Sequence, residues 1–267
     1  MKKVLLSLFV SVVIAIPVSA ATYNAAGRVP VVGQNLLTKN GISATNVKFN
    51  VVSGAVDNSN FATKRVVNVS KAELSYAGND NEVAAVVANE LGHIISGHAS
   101  KGKIVSLLTA DTAIGVENTA TSTLASNYAA SKENKEADVI AANLMVAANY
   151  NPLATIVVLT KMTGTYWEVL QGKPANADRA MNLFNYISYA YPAKVKAGYG
   201  CNEYRNFLAY ANPIVTERNT NKKMLKKYNK DNAKAQKKSQ SQLTKFRTRG
   251  GLSGWDAAYE LLNGPSY

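Results

Sequence analysis

A chain of 267 residues with 47% hydrophobic content can bury one substantial core, which excludes disorder throughout. Its formal charge of +13 favours anionic partners, and most of the excess sits in one segment described below. Cys201 is the single cysteine, so an intramolecular disulfide is excluded and packing alone must hold the core.

Residues 1–20 read as a secretory signal. Lys2 and Lys3 form a basic start, residues 4–16 are apolar apart from two serines, and Val18-Ser19-Ala20 fits a small-residue cleavage site. An uncleaved membrane anchor is the alternative, since the apolar run approaches the lower length limit for spanning a bilayer. No cysteine stands at the cleavage point, which argues against a lipoprotein, and no later segment is long and apolar enough to span.

In the remaining chain, residues 33–39 predict a short helix, and 47–52 alternate with period two like a half-buried strand. A polar turn at 57–60 follows. Residues 65–69 form a second β-branched run, and Ser70 with Glu73 three residues on is a capping-box signal for a helix reaching Tyr76. Asn79 with Glu82 opens another helix, expected to run to about Ser100. Val83, Val86, Val87, Leu91, Ile94 and Ile95 mark its buried face. Glu90 falls inside that apolar stripe, and a buried carboxylate requires a partner.

Asn89 and His93 are four residues apart on one helical face, Glu90 follows Asn89, and His98 lies five residues beyond His93. Two histidines at that four-residue spacing hold one zinc ion in HExxH, where the glutamate takes a proton from the metal-bound water. Here asparagine stands at the first position, and NExxH alone is a weak signal. His93 and His98 are the only histidines. On one continuous helix they would point about 140° apart, so one metal is not expected to use both.

Further along, Ile156, Val157, Leu159 and Met162, and Leu183, Phe184 and Ile187, have the spacing of helical core, with Tyr186, Tyr189 and Tyr191 expected at its edge. Between Glu217 and Arg249 twelve Lys or Arg residues face only Glu217 and Asp231. This segment reads as a solvated helix or mobile tail, suited either to an anionic envelope surface or to solubility alone; nucleic acid is the least expected partner. Gly250-Gly251 breaks the chain before a last helix around 255–262.

Several ordered motifs carry a resemblance. Residues 81–93, followed by His98, resemble the HExxH helix of the HtpX and CAAX-prenyl-protease family of gluzincin zinc metallopeptidases. Glu136-Ala137-Asp138, then Leu144-Met145 and Asn149-Tyr150-Asn151-Pro152, look like that family's second zinc helix and the turn after it. Lys173-Pro174 with Arg179 resembles its histidine-proline and arginine element, and Asn60-Phe61-Ala62 before the second strand also fits. The likeness covers roughly residues 30–190.

The resemblance implies an α+β fold, mainly helical: a metallopeptidase-like (zincin) domain with a small antiparallel or mixed β-sheet beside the 79–100 helix. The implied organisation is a signal at 1–20, the domain at 21–212, a basic segment at 213–250 and a terminal helix at 251–267. The family's zinc ligands fall on Asn89, His93 and Asn134, and the histidine of its histidine-proline pair on Lys173, so only His93 is retained. If the site is active, His93 with Glu133 or Glu136 would hold zinc and Glu90 would be the general base. Asp138 would orient a ligand, and Arg179 would pair with a carboxylate. If it is not, no metal or a weakly held one is expected, and Asn89, Asn134 and Glu90 are expected to bond one another while Lys173 supplies the lost positive charge. The favoured expectation is an exported, non-catalytic homologue (a pseudoenzyme) binding a protein or peptide, with the 65–69 strand offering an edge for an extended ligand. The alternatives are an active zinc metalloendopeptidase with an unusual ligand set and an interaction protein with only accidental likeness.

Overall fold

The computed structural model describes residues 23–102, 119–162, 173 and 176–263. The secretory-signal reading of residues 1–20 lies outside them. Thirteen elements follow in order: α1 (Ala25–Lys39), β1 (Lys48–Val52), α2 (Phe61–Lys64), β2 (Val66–Ser70), α3 (Lys71–Leu74), α4 (Asp80–Ser96), α5 (Thr119–Ala147), α6 (Leu153–Lys161), α7 (Ala177–Ala190), α8 (Pro192–Ala197), α9 (Asn202–Thr220), α10 (Lys222–Thr248) and α11 (Gly254–Asn263). The result is a mainly helical α+β fold with a two-stranded sheet. No helix among the described residues is long and apolar enough to cross a membrane.

Helix α1 begins eight residues before the expected start. Asn24 caps it by accepting from the Gly27 N–H, and Val29, Val32, Leu36 and Leu37 are buried along one side. Pro30 interrupts the sequence signal, but the packing of that side carries the helix through it. The sheet differs from the expected antiparallel or mixed pairing: β1 and β2 run parallel, with Lys48 opposite Val66 and Val52 opposite Ser70. The polar turn at 57–60 is no hairpin. Asp57 accepts from the Ser59 N–H and leads into α2, so residues 53–65 form a crossover long enough for parallel strands.

Helix α4 lies at the centre, packed on α1, β2, α5 and α6. Its start is as expected: the Asn79 side chain accepts from the N–H groups of Asn81 and Glu82, and the Glu82 carboxylate accepts from the Gly78 N–H and Lys161. Gly92 lets α5 come close, because a Cβ there would stand 2.4 Å from the Ala137 carbonyl oxygen. That contact brings the site-bearing faces of the two helices together.

One core joins α1, the sheet, α4 and part of α5; a second joins α6, α7 and α9. Tyr186 belongs to the second core rather than its edge, 1% exposed with its hydroxyl donating to Asn143 Oδ1 at 2.7 Å. One amide offers enough polar character to bury the phenol. The basic segment is an ordered helix, α10, lying against α5, α7 and α9 through Asn232, Ser239, Leu243 and Phe246, so a mobile tail is excluded there. Helix α9 runs unbroken across position 212, where a domain boundary was expected.

Candidate functional site

A cleft of about 400 Å³ lies between α4 and α5, lined by Asn58, Glu73, Asn89, Glu90, His93, His98, Glu133, Asn134 and Arg179, with Val56 and Ala99. Helical spacing aims Asn89 and His93 from α4, and Glu133 and Asn134 stand on the facing turn of α5.

At one end the charge is closed internally. Asp138 is fully buried and accepts a two-pronged ion pair from Arg179, Nε to Oδ2 at 2.7 Å and Nη2 to Oδ1 at 2.8 Å. The Asn89 amide donates to the same Oδ1 at 2.8 Å. Asn89 thus bonds Asp138, not the expected Asn134 and Glu90. The positive charge comes from Arg179, whereas Lys173 is half-buried and does not line the cleft. The neighbouring Pro174 lies outside the described residues.

Glu90 has the partner its burial requires, but an unexpected one: Asn58 donates to its Oε2 at 2.9 Å. Burial, reinforced by the Glu73 carboxyl, pushes the Glu90 carboxyl up to about 8, so at neutral pH it is mostly protonated. Burial also raises Glu73. Asn58 does more than hold Glu90. Its Oδ1 accepts from the Asn68 N–H at 2.7 Å and its amide donates to the Asn68 carbonyl at 3.1 Å. Those two groups are the free edge of β2, so a side-chain amide occupies the position where an extended ligand's backbone would pair.

The other end holds the histidines. Their expected divergence on one helix does not occur, because α4 stops at Ser96. Gly97 adopts φ +69° and turns the chain before helix resumes at 98–102. His93 Nδ1 and His98 Nδ1 come within 2.9 Å. Burial holds His93 down to about 4 and lowers His98 too, so both rings are neutral and one donates to the other. The turn is held from the C-terminus: a Cβ on Gly97 would stand 2.4 Å from Ser253 Oγ, and Ser100 donates to the buried Asp256 carboxylate.

The candidate carboxylate donors separate. Glu133 lines the cleft and accepts from Lys101 at 3.0 Å. Glu136 is held outside it, ion-paired with Lys238 and bonded to Gln242 of α10, which removes it from the expected pair of metal donors. Among the described residues no group of three or more His, Cys, Asp or Glu side chains is placed to hold a metal ion.

Sequence reasoning missed Asn58 and the meeting of His98 with His93. Gly97, a helix-stop residue type, was the available signal for the second; nothing local announces the first. After the cleft, Asn149 takes φ +65°, a conformation asparagine tolerates. Searches of curated proteins and of solved structures return no match. A family model, Peptidase family M48, matches residues 24–187, more than half the chain and the whole of the cleft. The chain belongs to peptidase family M48.

Proposed function

We propose that this chain is a non-catalytic member of its family that binds a protein or peptide ligand in the cell envelope after export. Peptidases of this family are typically zinc-dependent, and the residues present do not fit that ion. The observation that carries the reading is at Asn89. Where the resembled family has its first zinc histidine, a neutral amide donates to Asp138, and Arg179 satisfies the same carboxylate. An amide oxygen is a poor substitute for imidazole on zinc, and the second helix offers Asn134 where the carboxylate ligand is expected. Glu90 is protonated near neutral pH and bonded to Asn58, which disfavours a general-base role. The cleft itself persists at a volume suited to a small ligand or a few side chains.

One observation favours the alternative, an active metalloendopeptidase with an unusual ligand set: His93, His98 and Glu133 share the cleft. Zinc content of the purified chain by elemental mass spectrometry, with casein hydrolysis alongside, decides between them. The expected result is substoichiometric zinc and no hydrolysis. Near-stoichiometric zinc that disappears in His93→Ala, together with hydrolysis, would overturn the proposal. For the ligand, fluorescence anisotropy with a panel of unstructured peptides should show tighter binding to Asn58→Ala, which frees the β2 edge. No binding by either protein removes peptides as the ligand class.

A further inference from the structure

Helix α10 is about 40 Å long at the usual rise per residue. Placing residues at about 100° intervals puts its exposed lysines, among them Lys222, Lys226, Lys230, Lys234, Lys237 and Lys245, within one arc of roughly 160°. The buried Asn232, Ser239, Leu243 and Phe246 fall on the opposite side. The sorting is therefore complete: one side docks the helix and the other is a lysine ridge. Asp231 is the single acid in the helix and sits at the edge of that arc.

The ridge widens beside the middle of the helix. Lys132 and Lys135 of α5 border one groove with Lys234, where Asp231 and the Lys238–Glu136 ion pair also stand, and Trp255, 40% exposed, borders a second with Lys132 and the same ion pair. A cationic face two helices wide, rigidly mounted and ending in an amphipathic indole, matches a flat anionic surface.

We infer that this face docks the protein on an anionic phospholipid bilayer, chiefly through lysines of α10, none of which lines the cleft. The ridge has no apolar row, so the helix lies on the headgroups rather than inserting. A nucleic-acid strand fits less well, because the two aromatic side chains of α10 are taken: Tyr228 lies under the Arg218 guanidinium at 3.9 Å, and Phe246 is buried against Phe61. Each lysine near the surface adds attraction that salt screens within a Debye length.

The test is co-sedimentation of the full chain with phosphatidylglycerol vesicles and with phosphatidylcholine vesicles, the latter reporting any contribution from the apolar residues 4–16. Partition into phosphatidylglycerol should exceed that into phosphatidylcholine by about tenfold or more in about 0.1 M salt and collapse near 0.5 M. Replacing Lys222, Lys226, Lys230 and Lys234 together by Gln should weaken partition about tenfold or more, while replacing the same four by Arg keeps it within about twofold. Circular dichroism of the variants confirms the helix. Equal partition into the two lipids, an unaffected Gln variant, or tighter binding to duplex DNA than to the vesicles would each overturn the assignment.

Discussion

Helices α4 and α10 put polar residues to opposite uses. Of the seventeen residues of α4, fourteen are buried, Glu82, Asn89 and Glu90 among them, and each of these three finds a hydrogen-bond partner inside the protein. Of the twenty-seven residues of α10, four are buried, and its lysines are exposed, with Lys238 reaching across to Glu136. On α4 a change of residue type must be answered by a neighbour, whereas on α10 it need not be. The substituted position at Asn89 shows such an answer, with its amide seated on Asp138 and Arg179 completing the charge balance.

The contrast is most exposed to refutation at Asp138. Asp138→Ala leaves the Arg179 guanidinium and the Asn89 amide without their shared acceptor, and should cost about 3–5 kcal/mol in urea unfolding. A cost below about 1 kcal/mol would show that the ion pair is dispensable.

Next in size is the pH dependence. The Glu90 carboxyl is raised from 4.5 to about 8 by burial, so the stability it contributes is fully present below pH 4.5 and is lost as pH rises through about 8. His93 is depressed from 6.5 to about 4, so its contribution is present above pH 6.5 and lost as pH falls through about 4. The two slopes oppose each other between 4.5 and 6.5, which predicts a stability maximum in that window and a fall on either side. Glu90→Gln should flatten the alkaline side and be more stable than the parent by roughly 2–4 kcal/mol near pH 9, measured as unfolding free energy across pH. An unchanged alkaline limb would mean that Glu90 ionises freely.

The smallest effect belongs to α10. Lys230→Ala should leave stability within about 0.5 kcal/mol, read from the thermal midpoint. A larger loss would make the lysine ridge part of the fold.

The helices and their caps were legible because they depend on neighbours in sequence. Asn79, Glu82 and Ser70 act where their spacing placed them, and the apolar period of α4 marked a face that is buried. The resemblance brought Asn89, His93, Glu90, Asn134 and Arg179 to one cleft. What the sequence hid is set by distant partners. The parallel direction of β1 and β2 depends on a crossover, and Asn58 reaches Glu90 across thirty-two positions. Tyr186 is expected at the edge of the core from its spacing, and it is Asn143, on another helix, that accepts its hydroxyl inside. Glu136 was a plausible donor to the cleft until α10 drew it away.

The turn at Gly97 also fixes an order of assembly. Its glycine faces Ser253, and Ser100 just beyond it bonds Asp256, so the two imidazoles depend on residues more than one hundred and fifty positions downstream. During synthesis α4 and the Asn89 end of the cleft have their partners once α5 and α7 have emerged, while the His98 end waits for the chain past residue 256.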